Sequence, residues 1–277
     1  MIHEKIIDGR LIADRVYNDI YTKINTKNLH PKLSIIQVGN NPASNIYVNK
    51  KLNIAENLGI NTNLYKFNSN IQKEVLVEQI QKCNQENSST IVQLPLPKHL
   101  NANEIIDNID SKLDVDGLTT INQGLLFSGQ HCICPCTPLG VMTLLKNYNI
   151  DVVGKHAVII GRSNLVGKPL MQMMLNANAT VTLCHSKTIN LQSITSTADI
   201  LISATGCAKF INSNFIKQNA IVIDIGISYI NNKICGDVDF DDVIDKVSKI
   251  TPVPGGVGPM TVAMLMYNTV QVAENLM

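Results

Sequence analysis

Tyr47 and Lys51 stand four residues apart in NNPASNIYVNKKLNIAENLG (40–59), a stretch punctuated as a helix at both ends. Asn41 can cap, Pro42 suits a first turn, and Gly59 suits the position just past the last one. Helical residues four apart share a face. A tyrosine ring there can stack on a flat ligand while the lysine amine reaches the same pocket. An amine acting as a base must be neutral, a form that partial burial favours. Lys50 is its neighbour, and a solvated surface lysine fits the spacing equally well.

Two other stretches offer polar groups. VQLPLPK (92–98) follows an apolar run and puts Gln93 at its end, where α/β proteins bind ligands. A turn-stabilising amide is the competing use. KLDVDGLTTIN (112–122) offers Asp114 and Asp116 ahead of Gly117. A calcium loop begun at Asp114 needs an acid at its twelfth position, which is Leu125, so calcium is excluded. Either aspartate can hydrogen-bond a nitrogen heterocycle, or cap a turn.

HAVIIGRSNLVGKPLMQMMLNANATVTLCHS (156–186) reads as strand, glycine turn, helix and strand, the context in which a phosphate sits on a helix N-terminus. The turn carries Gly161, Ser163 and Gly167 rather than G-x-G-x-x-G. It is not a P-loop, because five residues separate the glycines and Pro169 follows Lys168. It is not a nucleophile elbow, because Leu165 stands where glycine is required. An acid that would hold a ribose 2′-hydroxyl is missing from Cys184-His185-Ser186-Lys187, and Arg162 lies in the turn. A cationic turn without a carboxylate favours a 2′-phosphate, hence NADP over NAD. A solvated Arg162 and a plain structural turn stay open.

TPVPGGVGPMT (251–261) interleaves three prolines with three glycines ahead of a helical pattern. That gives a stiff loop of little bulk, either a tight connection or a wall for a flat ligand. The seven cysteines are an odd number in a chain large enough to fold without staples, which argues for reduced thiols. Cys132, Cys134 and Cys136 cluster in HCICPC, but no C-x2-C pair with a second pair elsewhere appears, so no metal is expected. The cluster has no assigned role.

The elements that must position these groups alternate. LSIIQV (33–38), NLYKF (63–67), TIVQL (90–94), HAVIIG (156–161), ATVTLC (179–184), ADILISATG (198–206) and AIVIDIGIS (220–228) read as strands, the later ones buried on both faces as in parallel sheets. Helix-length segments separate them; Ile12, Val16, Ile20 and Ile24 give one an apolar face. The alternation predicts an α/β architecture in two groups split near PCTPLG (135–140), with a terminal helix after the Pro/Gly loop. A net charge of +1 with 16% charged residues gives no draw toward nucleic acid or membrane. No apolar run approaches the roughly 18 residues of a membrane helix. MIHEKIIDGR lacks a signal pattern, and a cytoplasmic protein is expected.

Taken together, the chain resembles the methylenetetrahydrofolate dehydrogenase/methenyltetrahydrofolate cyclohydrolase family of bifunctional FolD-type proteins. NPASNIYVNKK, VQLPLPKHL, DVDGLTTINQGLL, PCTPLGVMTLL, GRSNLVGKP, CHSKTINL, ADILISATG and ITPVPGGVGPMTVAML carry the resemblance, in the family's order and over most of the chain. The resemblance implies two domains with a cleft between them. An N-terminal α/β domain (1–137, completed by a C-terminal helix, 261–277) holds folate. A C-terminal Rossmann domain (138–260) holds NADP. It implies a homodimer acting on one-carbon derivatives of tetrahydrofolate. Lys51 falls on the catalytic lysine, with Gln93 tuning it, Tyr47 packing on the aminobenzoyl ring and Asp116 binding the pterin. Gly161, Arg162, Ser163, Ser186 and Ile227 fall on cofactor contacts, and Pro254, Gly255, Gly256 and Gly258 border the folate. Leu139 stands where relatives often carry a basic residue. The expected activity is oxidation of 5,10-methylenetetrahydrofolate with NADP+, then hydrolysis to 10-formyltetrahydrofolate. Three rivals remain: a monofunctional dehydrogenase, an oxidoreductase of the shikimate-dehydrogenase type, and a catalytically silent nucleotide-binding regulator.

Overall fold

A computed structural model describes residues 2–231 and 233–276. In chain order the elements begin α1 (Ile2–Lys5), α2 (Gly9–Lys27), β1 (Lys32–Val38), α3 (Pro42–Asn57), β2 (Asn61–Phe67), α4 (Lys73–Gln85), β3 (Ser89–Gln93), α5 (Ala102–Ile106) and α6 (Thr120–Phe127). They continue α7 (Cys136–Asn147), β4 (His156–Ile160), α8 (Gly167–Asn176), β5 (Thr180–Cys184), α9 (Leu191–Thr195), β6 (Ile200–Ser203), β7 (Ile221–Asp224), β8 (Ser228–Ile230) and β9 (Lys233–Cys235). The chain closes with α10 (Phe240–Val243), β10 (Lys249–Ile250) and α11 (Val257–Asn275). Every strand read from the apolar runs is present; β8, β9 and β10 are additional.

The chain divides into two compact units. One comprises Arg15–Cys136 and Val262–Met277. Its sheet has the order β2-β1-β3 with both pairings parallel. Central β1 is buried along nearly its whole length, whereas edge β2 alternates between half-buried and exposed. That difference is what coverage by helices on both faces of a central strand demands.

The other unit comprises Met1–Asp14 and Thr137–Thr261, with a sheet of order β10-β7-β6-β4-β5, all parallel. Its core gathers Val158, Ile160, Leu201, Val222 and Val243, each buried. At about 1.5–3 kcal/mol per buried aliphatic side chain, these residues are a main source of the unit's stability. Residues up to Asp14 go with this unit, a boundary that differs from the expected 1–137 domain. Backbone pairing with a segment near the far end of the chain explains it: Ile6 bridges to Ile250, Ile7 N–H donates to Ile250 O at 2.8 Å, and Gly9 N–H to Gly255 O at 2.9 Å.

The terminal helix also starts earlier than its apolar pattern, at Val257 inside TPVPGGVGPMT. Pro259 is accommodated because first-turn N–H groups have no intrahelical partner to lose. Among the described residues no helix is long and apolar enough to cross a membrane.

Candidate active site

The first unit builds its polar cluster from one strand end, a helix and a turn. α3 is capped as its sequence implies: Asn41 Oδ1 accepts Ser44 N–H at 3.2 Å, and Gly59 takes φ +76° past its end. Ser44, Val48 and Ala55 are buried on one stripe of α3, and Lys51 falls on that stripe. Lys51 is therefore half-buried while Lys50 is exposed, which separates the two adjacent lysines. Lys51 Nζ donates to Gln93 Oε1 at 2.9 Å. Gln93 ends β3, and its own Nε2 donates to Leu94 O at 2.7 Å. The amide is thus oriented with its oxygen toward the amine. Tyr47, one turn before Lys51, is 36% exposed, leaving ring surface available to a ligand.

The two aspartates divide their roles. Asp114 is buried and Oδ2 accepts Thr119 N–H at 2.8 Å and Asn122 Nδ2 at 3.0 Å. Burial pushes its carboxyl above the ordinary range, against the pull of these hydrogen bonds. Asp114 is thus a turn-capping residue, and Asp116 is left half-buried. Asp116 and Lys51 act on one buried group, the Cys136 thiol. Burial pushes that thiol up, the Asp116 charge adds to the push, and the Lys51 ammonium opposes it. Lys51, Gln93, Asp116 and Cys136 therefore form one constellation.

Cys136 escaped the sequence reading because its thiol was grouped with Cys132 and Cys134. Asn268, on α11, was missed as well. Its Nδ2 donates to Val115 O at 2.9 Å and to Cys134 O at 3.0 Å, clipping the Asp116 turn to the cysteine segment. Asparagine within VAMLMYNTVQV, a polar residue in an apolar helix, was the available signal.

In the second unit the cofactor candidates follow strand ends at the carboxyl edge. Strand order reverses at β4, with β5 on one side and β6 on the other, the switch point where such sheets bind ligands. Gly161 leaves β4 at φ +125°, and a Cβ there would meet Ala204 O at 2.5 Å. A Cβ on Gly167 would meet Gly161 O at 1.8 Å, so strand and helix approach as closely as backbone allows. That is the cradle a dinucleotide pyrophosphate requires. Ser163 Oγ accepts Val166 N–H at 3.1 Å, shaping the turn, and Arg162 and Ser163 are exposed in it. Ser186 is exposed two residues after β5. Ile227 is exposed after β7, and a Cβ on Gly258 would lie 4.0 Å from its Cδ1. The residues present fit NADP: a glycine cradle, an exposed guanidinium, and no acid closing β5.

In the Pro/Gly loop, Gly255 takes φ +112° and Gly256 has no room for a side chain, since its Cβ would meet Pro252 O at 2.6 Å. A Cβ on Gly9 would meet Gly256 O at 1.7 Å. Arg10 Nη2 donates to Pro254 O at 3.3 Å. Part of the loop's smallness therefore serves the packing of two chain segments.

Comparison with known proteins accords with this geometry. Residues 7–116 match the family described as tetrahydrofolate dehydrogenase/cyclohydrolase, catalytic domain, and residues 135–277 match its NAD(P)-binding domain. The bifunctional protein FolD of Agathobacter rectalis is 46% identical over 272 residues, covering 96% of this chain and 98% of that protein. The solved structure of bifunctional FolD methylenetetrahydrofolate dehydrogenase/cyclohydrolase from Campylobacter jejuni is 46% identical, with a TM-score of 0.96, covering 98% of this chain and 99% of that one. The Trypanosoma brucei FolD structure, complexed with NADP cofactor and inhibitor, is 32% identical with a TM-score of 0.93, covering 98% and 97%.

Proposed function

Since the chain belongs to the tetrahydrofolate dehydrogenase/cyclohydrolase family, we propose that it oxidises 5,10-methylenetetrahydrofolate with NADP+ and hydrolyses the resulting 5,10-methenyl cation to 10-formyltetrahydrofolate. The observation that carries this is the Lys51 Nζ–Gln93 Oε1 hydrogen bond of 2.9 Å on a half-buried helix face. No proton leaves in the first step, so as a proton-transferring group this amine serves the second.

NADP+, when bound, supplies the hydride acceptor for the substrate's methylene carbon. Gly161, Arg162, Ser163, Ser186 and Ile227 hold it, with Arg162 on the 2′-phosphate. Tyr47 stacks on the aminobenzoyl ring and Asp116 hydrogen-bonds the pterin. Pro254, Gly255, Gly256 and Gly258 border the folate. For the first step these residues position and exclude water, which is the larger part of the catalysis required.

The second step needs a base for water and a proton for the departing nitrogen. Lys51 serves as the base that takes a proton from the water attacking the amidinium carbon, and it returns one to the leaving nitrogen. Gln93 Oε1 keeps the amine oriented while Nε2 is tied to Leu94 O. The assembly proposed is a cytoplasmic homodimer with no nucleic-acid or membrane partner.

A spectrophotometric assay with 5,10-methylenetetrahydrofolate and either cofactor, following NAD(P)H and the methenyl band, tests the reading. Rapid NADPH formation with no lasting methenyl signal is expected. Methenyl that accumulates and then decays only at its uncatalysed rate would reduce the protein to a dehydrogenase. Absence of NADPH would overturn the whole reading.

A further inference from the structure

Cys132 and Cys134 lie in HCIC, a stretch outside the motifs used above, yet their Sγ atoms stand 3.9 Å apart. A disulfide bond is about 2.05 Å long, so bonding them needs a movement of roughly 2 Å. Both are half-buried, within reach of a small reagent, whereas Cys136 is 2% exposed with its thiol donated to Val115 O at 3.3 Å. Among the described residues no group of three His, Cys, Asp or Glu side chains gathers for a metal, so the pair stands as a dithiol.

We propose that Cys132 and Cys134 form a reversible dithiol–disulfide site, closed by exchange with a low-molecular-weight disulfide, and that closure displaces the Asp116–Gly117 turn. The Cys132 hydrogen bond holds the Cys134 thiol below its ordinary range and pushes Cys132 up, which makes Cys134 the attacking sulfur. Its thiolate bonds to one sulfur of the reagent disulfide; that S–S bond breaks and the released thiolate takes up a proton. Cys132 then loses its proton and bonds to the Cys134 sulfur, expelling the second reagent thiolate, which is protonated in turn. Two protein thiols are oxidised and one reagent disulfide is reduced to two thiols.

The coupling to the turn is steric. A Cβ on Gly117 would meet Ile133 O at 2.6 Å, Cys134 C at 2.7 Å and Pro135 N at 2.7 Å. The cysteine segment therefore lies against the turn backbone with no slack. Asn268 Nδ2 binds Val115 O and Cys134 O together, at 2.9 and 3.0 Å. Drawing Cys134 toward Cys132 must strain this clip and shift Asp116. The catalytic consequence rests on the proposed folate role of Asp116; the thiol chemistry does not.

The test incubates the full-length protein with glutathione disulfide or dithiothreitol, alkylates, maps the cysteine peptides, and measures KM for methenyltetrahydrofolate. The expected result is a Cys132–Cys134 crosslink, a several-fold higher KM, and reversal of both by dithiothreitol. Cys132→Ser should neither crosslink nor respond while keeping the parent's reduced activity, and Cys134→Ser repeats the control should the first variant fold poorly. Thiols that stay alkylatable, or a crosslink to another cysteine or a second chain, overturn the site. A Cys132–Cys134 bond with unchanged KM overturns the coupling. Mapping is read without turnover, so a protein lacking cyclohydrolase activity still reports on the thiols.

Discussion

Asp224 Oδ1 accepts the main-chain N–H of Asp237 at 3.0 Å, joining two buried carboxylates of the NAD(P)-binding domain. Asp224 also accepts Gly226 N–H and Val238 N–H, each at 2.9 Å. Asp237 accepts Ser203 Oγ and the N–H groups of Thr205 and Cys207. Together they organise the loops that follow β6 and β7 at the carboxyl edge. The neighbouring glycines make room: a Cβ on Gly226 would lie 2.0 Å from Asp237 Oδ1, and one on Gly236 would lie 1.9 Å from Asp224 Oδ2.

This pair predicts a stability change with pH. Burial raises the Asp224 pKa from 3.8 to about 6, against its backbone hydrogen bonds and aided by the Asp237 charge. The folded value lies above the unfolded one, so the native state binds the proton more tightly. The contribution is complete below the unfolded pKa and is lost as pH rises through about 6. A gap of roughly two units corresponds to ~3 kcal/mol. Urea midpoints from pH 4.5 to pH 7 should therefore fall more steeply for the parent than for Asp224→Asn, which cannot ionise. Equal slopes would remove Asp224 as the cause.

Lys51→Met should abolish enzymatic hydrolysis of methenyltetrahydrofolate, because general acid–base catalysis at one position accounts for about 10²–10⁴-fold in rate. Gln93→Leu should lower the same kcat by about 10-fold, since it removes a hydrogen bond to the Lys51 amine that is worth about 1.5 kcal/mol. Decay of the methenyl band measures both. A Lys51→Met enzyme hydrolysing at the parent's rate rules out the base role.

Particular elements show what the sequence made legible. β4 and β6 announced themselves as nearly continuous aliphatic runs because central parallel strands bury both faces, whereas β1 carries Ser34 and Gln37 within its apolar run. β10 did not announce itself, being only Lys249–Ile250; its pairing with β7 depends on long-range register. That Gln93 lies at a strand end and Lys51 on a helix face follows from local pattern, whereas their pairing in one hydrogen bond joins residues 42 positions apart and does not. Asp224 and Asp237 were not found, since an aspartate ending a strand and one in GDVD look alike whether buried or solvated. Their burial is decided by the approach of two loops, on which local spacing carries no information. The same holds for Asn268, whose partners lie more than 130 positions away.

Arg162 carries the prediction on cofactor choice. It is exposed in the turn after β4, and no acid closes β5 to favour a free 2′-hydroxyl. A charge-assisted hydrogen bond to a phosphate is worth about 1.5–3 kcal/mol, or about 10- to 100-fold in binding. Arg162→Ala should reduce the NADP-to-NAD ratio of kcat/KM by that factor, mainly through a higher KM for NADP. An unchanged ratio assigns the 2′-phosphate to another residue.

The glycines of the Pro/Gly loop yield a prediction that separates packing from backbone freedom. Gly9 lies with its missing Cβ 1.7 Å from Gly256 O and 3.1 Å from Gly255 O, and its N–H donates to Gly255 O at 2.9 Å. A methyl group at residue 9 cannot fit without separating the two segments and losing that hydrogen bond. Overpacking of this kind costs about 1–3 kcal/mol. Gly124, within α6, has nothing within 4 Å of its Cβ position and an ordinary helical backbone. Alanine there should instead stabilise by about 0.5–1 kcal/mol, because glycine loses more backbone entropy on folding. Thermal unfolding of the two variants should accordingly shift in opposite directions, down by several degrees for Gly9→Ala and slightly up for Gly124→Ala. A Gly9→Ala protein as stable as its parent would mean that the amino-terminal segment is not seated on the loop.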